Sequence, residues 1–436
     1  MDKRSGVIAL GAILCLTWGF AWAQGWIFGP VPDFQYSRFD GEYYPPTGKV
    51  YFLGGRIQNG GTAGRIWSYD PMACTFTDEQ VDMEFPVSDF NVGLLNDPAG
   101  PDSLALYVVG GLASGGTYSS ATQVYYPISG LAMALASDPW PGRIGSKVSR
   151  PGRGIAVSNN RLYVFGGLNT NPPAPYASDS TYVYDPSLPA GSRWSTLAAR
   201  LSLARGDITP AVVDGKVYAL GGLTYDGSLV HPVNRMERFD PADPGAGWVR
   251  LTDLPDSLSD AQAFGFDSGS PYGWGNHIIV AGFRDSQNCR DFDIAANRWS
   301  SFPPVNLNRN GPASFFLPGT LGHNGIPGVW VLGGDSDSTF SSEFYQLIWE
   351  DGIGNEALPV GLSGFGSLGF KFAPNPFVSF TTVPGRVGEN FELYDISGRR
   401  IGTYRGDRIG QDVRPGVYFV RAKGETGITA RIIKVR

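Results

Sequence analysis

Six apolar runs, each closed by glycine, recur along the first three quarters of the chain. They read Val50-Tyr51-Phe52-Leu53-Gly54-Gly55, Leu106-Tyr107-Val108-Val109-Gly110-Gly111, Leu162-Tyr163-Val164-Phe165-Gly166-Gly167, Val217-Tyr218-Ala219-Leu220-Gly221-Gly222, Ile278-Ile279-Val280-Ala281-Gly282-Phe283 and Val329-Trp330-Val331-Leu332-Gly333-Gly334. A continuous apolar run, without the alternation of a half-exposed strand, predicts a strand covered on both faces. The first glycines fall at 54, 110, 166, 221, 282 and 333, a period of 51 to 61 residues. A second strand with an aromatic near its end follows each run: Tyr69-Asp70-Pro71, Tyr125-Tyr126-Pro127, Tyr184-Asp185-Pro186, Phe239-Asp240-Pro241, Phe292-Asp293-Ile294, and Phe344 or Tyr345 in the sixth. In three repeats a tryptophan comes next, at Trp194, Trp248 and Trp299.

A sheet of about fifty residues cannot bury both its faces alone, so units of this kind stack on one another. Glycine at the strand ends permits positive φ and close backbone approach. The tyrosines and tryptophans supply large contact areas between units. The sixth repeat lacks its tryptophan strand, while Gly25-Trp26-Ile27-Phe28-Gly29-Pro30 is similar to Arg298-Trp299-Ser300-Ser301-Phe302-Pro303. The N-terminal segment is therefore expected to supply the outermost strand of the last unit.

The double glycine with spaced Tyr and Trp resembles the kelch repeat over residues 26–350. The resemblance implies an all-β fold: a six-bladed kelch-type β-propeller closed by an N-terminal strand, spanning 24–350.

Composition agrees with many short strands joined by turns: 60 glycines, 33 prolines, 13% aromatic and 17% charged residues. The first 23 residues read as a signal peptide, with Lys3 and Arg4 ahead of an apolar stretch at 6–20 and then Ala21-Trp22-Ala23, which places cleavage before Gln24. An uncleaved anchor and a lipoprotein at Cys15 fit less well, because the stretch is short and Leu14 is bulky. No later segment is apolar enough to span a membrane. Cys74 and Cys289, in different repeats, are expected to be separate thiols.

Residues 351–366 are glycine-rich and aperiodic, a linker. Beyond it the charge changes sign. From Ser367 onward there are 12 Lys+Arg against 6 Asp+Glu, and residues 24–366 carry −13 of the overall −6. An acidic body argues against nucleic acid as a partner. The tail opens with Pro374-Asn375-Pro376-Phe377. It continues through the strand-and-turn Phe391-Glu392-Leu393-Tyr394-Asp395-Ile396-Ser397-Gly398-Arg399, then Arg414-Pro415-Gly416-Val417-Tyr418-Phe419-Val420-Arg421, and ends on the basic strand 430–436. This order resembles the type A C-terminal sorting domain of type IX secretion. The resemblance implies a small Ig-like β-sandwich at 367–436, the type IX machinery as partner, and a secreted or outer-surface location in a Gram-negative-type bacterium. An ordinary Ig-like appendage is the alternative.

Catalytic signatures are sparse. His231, His277 and His323 stand in no HExxH context, and CxxC and GxSxG are missing. Copper-radical oxidases and sialic-acid mutarotases also use kelch propellers, but the paired-His set of the former has no counterpart here. No catalytic residue, cofactor or metal is expected.

Arg38, Arg150 and Arg205 each precede the first glycine of their repeat by 16 residues, at the start of the innermost strand; Arg309 looks comparable, and Asp89 and Asp260 take the place in repeats two and five. Innermost strands converge on a central channel, so these residues are expected to ring its mouth. They would either bind a carboxylate or sulfate or pair among themselves and fasten the repeats. The loops after the double glycines share one face, where Tyr176, Tyr225 and His231 are candidate contacts for an unknown glycan or protein ligand. Asp335-Ser336-Asp337-Ser338 matches no EF-hand spacing and reads as a solvated turn. A binding protein is the expectation, with a sugar-modifying enzyme or a surface-layer component as alternatives.

Overall fold

The computed structural model describes residues 25–58, 60–170, 176–227, 229–270, 274–318, 321, 327–335, 341–347, 379–383, 386–394, 400–414, 416–423 and 430–434. The expected signal peptide, the linker 351–366, Pro374-Asn375-Pro376-Phe377, the turn 395–399 and Ser336-Asp337-Ser338 lie outside them. The chain divides into two units, Met1–Ser268 with Asn276–Leu347, and Gly269–Gly275 with Ile348–Arg436.

Each glycine-ended run is the second strand of its own four-stranded antiparallel sheet. The second strands are Lys49–Leu53, Leu104–Val109, Arg161–Phe165, Lys216–Leu220, His277–Ala281 and Gly328–Leu332. Their residues are almost wholly buried, as continuous apolar sequence requires. The first strands are Asp40–Tyr44, Val92–Asn96, Ile155–Ser158, Thr209–Val213, Gln262–Phe266 and Ala313–Leu317.

Neighbouring sheets share their apolar cores. Tyr51 and Leu53 of the first pack with Leu106 and Val108 of the second, and Tyr107 meets Tyr184 at 5.5 Å between the second and third. Tyr163 meets Phe239 at 5.8 Å between the third and fourth, and Tyr218 packs with Ile278 between the fourth and fifth. Phe266 meets Phe316 at 5.8 Å between the fifth and sixth. Phe315 and Trp330 of the sixth then pack on Phe52 and Tyr69 of the first. This all-β architecture of antiparallel four-stranded sheets fits a kelch β-propeller.

Two sequence marks have clear physical work. At Gly166, with φ of 73°, a β-carbon would lie 2.2 Å from the Arg205 carbonyl oxygen, so only glycine fits. The tryptophans reach across sheets: Trp194 Nε1 donates to Thr122 Oγ1 at 3.1 Å and Trp248 Nε1 to Thr181 Oγ1 at 2.8 Å. Each satisfies a half-buried indole while tying a sheet to the one before it.

Ile27–Phe28 pairs antiparallel with Ser342–Gln346, as the fourth strand of the sixth sheet. Trp26, buried, donates from Nε1 to the Pro303 carbonyl at 2.8 Å, and Asn306 Nδ2 donates to the Trp26 carbonyl at 2.8 Å. Among the described residues Cys74 and Cys289 form no disulfide, and burial pushes the Cys289 thiol up to about 12.

In the second unit the described residues form one antiparallel sheet in the order Arg400–Arg405, Asn390–Tyr394, Gly416–Ala422, Ala430–Lys434. Its apolar side is Val383, Phe391, Leu393, Ile409 and Val420. No helix among the described residues is long and apolar enough to cross a membrane.

Trp26→Ala removes a buried indole together with the N-terminal strand's main anchor. It should lower unfolding stability by about 3–5 kcal/mol in denaturant titrations. A loss below about 1 kcal/mol would show that the sixth sheet does not depend on that strand.

Candidate functional site

The starts of the innermost strands share a local form: a small residue, then a residue at positive φ, then an apolar one. Ser37-Arg38-Phe39, Ser88-Asp89-Phe90, Gly206-Asp207-Ile208, Ser259-Asp260-Ala261 and Asn310-Gly311-Pro312 are the copies, with φ between 49° and 65° at the middle residue. These turns bond to one another through the backbone. Gly311 N–H donates to Asp260 O at 3.2 Å, Arg38 N–H to Gly311 O at 2.6 Å, and Asp89 N–H to Arg38 O at 2.7 Å.

The turns bring their charges together. The Arg38 guanidinium contacts Asp89 at 3.2 Å, Asp260 at 3.3 Å and Asp335 at 3.0 Å. Asp89 also receives Arg56 at 3.0 Å, Arg150 at 2.7 Å and the Ser88 hydroxyl at 2.7 Å. Arg150 reaches on to Asp207 at 2.6 Å. Every one of the six sheets contributes to this network. Three arginines face four aspartates, and Asp89, Asp207 and Asp260 are all buried.

Burial raises the Asp89 carboxyl, but Arg150, Arg38 and Arg56 outweigh it and hold the group well below the usual carboxylate range. Burial pushes Asp207 up to about 6, because Arg150 is shared and the charges of Asp260 and Asp89 add to the cost. Beneath the network lies Arg153, fully buried, donating to Pro312 O at 2.8 Å, Phe39 O at 3.3 Å and Asn91 Oδ1 at 3.4 Å. Asp40 accepts the Val92 and Ser314 amides at 3.0 and 3.2 Å, and burial pushes it up to about 6. Two residues along the same strand, burial and the nearby Asp40 charge push Glu42 up to about 8.

Arg205 and Arg309 do not join the network. Arg205 lies wholly buried against Glu237 at 2.6 Å and the Gly221 carbonyl at 2.8 Å. Arg309 is equally buried against Glu343 at 2.8 Å and the Gly333 carbonyl at 2.9 Å. Both side chains lie within their own sheets, so the expected ring of six loses these two. Arg309 lies 24 residues before Gly333, outside the spacing of 16, and for Arg205 relative to Arg38 that spacing misleads because the hairpin between first and second strands varies. It has two residues, Asp214 and Gly215, in the fourth sheet but four, 45–48, in the first. Counting back from the glycine therefore shifts the register.

The arrangement also includes residues the spacing missed: Arg56, Asp207, Asp335 and Arg153. Asp335 is no mere solvated turn, since it accepts from Arg38. The recurring small-charged-apolar tripeptide, which includes Asp207, was the signal available in the sequence.

The loops that follow the double glycines bridge to these same turns, as in Ser37↔Arg56, Ser88↔Leu112 and Gly206↔Leu223, which puts loops and charged network on one face. The loops are tied side by side. Thr62 and Ser114 hydroxyls meet at 2.9 Å, Tyr118 and Thr170 hydroxyls at 2.6 Å, and Tyr176 and Tyr225 rings pack at a tilt of 41° with centroids 4.0 Å apart. His231 lies on the Tyr225 hairpin, 3.7 Å from Asp226.

Known proteins share parts of this pattern. The family described as "Kelch motif" matches residues 149–199, which hold the third sheet. Kelch-like protein 15 of Danio rerio is 30% identical over 148 residues, 32% of this chain and 23% of that protein. Kelch-like protein terF of Aspergillus terreus is 24% identical over 276 residues, 58% of this chain and 51% of that protein. The matches thus span about half or less of those relatives. Motif and relatives together support a kelch-repeat protein.

Arg38→Ala removes the guanidinium that contacts Asp260 and one of three cations facing Asp89. It should cost about 3–5 kcal/mol in unfolding stability, the usual result of stranding buried charge; a change below about 1 kcal/mol would refute the network's structural role. Glu42 should impose a pH dependence. Its folded value near 8 exceeds its ordinary 4.5, so the folded state holds the extra proton between them. The stability this contributes is complete below the ordinary value and is lost as pH rises through the folded one. Glu42→Gln should flatten the decline in melting temperature over that window; an unchanged slope would place the titration elsewhere.

Proposed function

We propose that this chain is a binding protein: a six-bladed kelch propeller, closed by its N-terminal strand, whose loop face docks a protein partner. The tethering of neighbouring loops carries this reading. Four consecutive repeats present loops already joined to one another on a scaffold of rigid sheets, so little ordering remains to oppose binding. The exposed side chains there, among them Leu229 at 68% and Ile57 at 38%, offer apolar contacts within a polar rim. Kelch domains generally bind protein partners, which agrees.

The geometry weighs against an acidic sugar at the channel mouth. Arg205 and Arg309 are committed to buried glutamates, and the mouth arginines face a surplus of aspartates. An anion would meet little uncompensated positive charge.

Export belongs to the same proposal. The charged start, apolar stretch and Ala21-Trp22-Ala23 support a signal peptide. The basic tail, with its order of motifs, supports a small Ig-like domain, a type IX sorting role and a secreted or surface location. Deleting 367–436 should then trap the protein behind the outer membrane, and a tail-fused fluorescent carrier should be exported; efficient release of the deletion would defeat the sorting assignment.

For the docking face, partners cross-linked to the full chain would be identified and their affinities measured. Tyr225→Ala should weaken the relevant complex about tenfold or more. Pro46→Arg, on the hairpins at the opposite ends of the strands, should leave it unchanged. The reverse pattern would place docking on the other face.

A further inference from the structure

At the outer margin of the loop face, between the first two repeats, lies an open groove of about 690 Å³. One wall is the segment Met83-Glu84-Phe85-Pro86-Val87. Met83 and Val87 are buried, and the three residues between them are exposed. The Phe85 ring is 47% exposed, yet its backbone is held firmly. The buried Gln123 carboxamide accepts from Phe85 N–H at 2.8 Å and donates to Phe85 O at 2.9 Å. Pro86 further restricts Phe85 to an extended conformation.

The other repeats show what is special here. Gln123 is the second residue of its strand, as Glu237 and Glu343 are of theirs. Those glutamates accept the amides of Ser202 and Asn306, and each pairs with a buried arginine. In the second repeat a neutral amide does the work of glutamate and arginine together. Where the fourth and sixth repeats place Ser202 and Asn306, it presents a phenyl ring to solvent. Exposing a large apolar ring gains nothing for folding, and pinning its backbone gives a flat surface that needs no ordering on contact.

The facing wall is rich in hydroxyls, from Thr62, Ser114, Thr117, Ser119 and Ser120. Hydroxyls both donate and accept, so they suit a ligand whose groups do the same. Among the described residues Glu84 is the one charged side chain lining the groove; its Oε2 accepts the Ala134 amide at 2.8 Å. No lysine or arginine among the described residues lines it, which disfavours phosphate, sulfate and acidic sugars. A purely apolar ligand would take these hydroxyls out of water without replacing the hydrogen bonds they make to it. An uncharged ligand with many hydroxyls and an apolar C–H face answers all three constraints, and its size matches a site in the ~300–1,000 Å³ range of small-molecule pockets.

We propose that this groove binds a neutral oligosaccharide, with the C–H face of one ring stacked on Phe85 and its hydroxyls turned toward Glu84 and the Thr62–Ser114 wall. The site shares no residue with the Tyr225 docking test, so either proposal can fail without the other.

The test uses the full chain with maltotriose, cellotriose, xylotriose and mannotriose, and 3′-sialyllactose as the anionic comparison, read by calorimetry and saturation-transfer NMR. At least one neutral trisaccharide should bind. Phe85→Ala should weaken it about tenfold or more, and Phe85→Tyr should retain it within about threefold. Because the ring is exposed, both variants should melt like the parent protein. Absence of binding by all four neutral sugars up to about 10 mM, equal binding by parent and Phe85→Ala, or a preference for 3′-sialyllactose would each overturn the proposal.

Discussion

A sheet with two apolar faces cannot be stable at the end of a row, and that constraint governs this molecule. Leu106, Val108 and Tyr107 look toward opposite neighbours, and so do their counterparts in each repeat. The sixth sheet must therefore find the first, and Phe315 and Trp330 do so against Phe52 and Tyr69. The short strand Ile27–Phe28 belongs to the same logic, because it completes the sixth sheet from the other end of the chain.

Closing the sheets has an electrostatic consequence. The innermost strands start close together, and the turn residues there are charged: Arg38, Asp89, Asp207 and Asp260. Carboxylates brought this close in a dry setting are tolerable only if guanidinium groups are shared among them, as Arg38 and Arg150 are. The network is better understood as a fastening across all six sheets than as an empty anion site. It also keeps the face above it in one arrangement, which is where the tethered loops lie.

Recognition is best sought where the repeats differ. Equivalent positions in the sheets perform the same packing work and so carry little information about a ligand. The second repeat departs from that sameness at Gln123 and Phe85, and the third and fourth depart from it in the loops that place Tyr176 against Tyr225. Each departure puts an aromatic side chain where solvent or a partner can reach it, held by backbone and side-chain contacts that folding alone does not require.

The repeat was legible in the sequence because burial on both faces is a property of each strand by itself, and it leaves the same mark in Val50-Tyr51-Phe52-Leu53 as in Val329-Trp330-Val331-Leu332. The partner of the sixth sheet was legible too, since the missing tryptophan strand had a visible replacement near Trp26. The charged cluster was only half legible. Arg38, Arg150, Asp89 and Asp260 could be named, but Arg205 and Arg309 belonged elsewhere and Asp207 and Asp335 went unseen. Contacts such as that of Arg38 with Asp335 join residues 297 apart in the chain, and the unequal hairpins of the first and fourth sheets shift the register between glycine and turn. Local patterning determined the strands and their order; only closure of the sheets on one another decided which charges would meet.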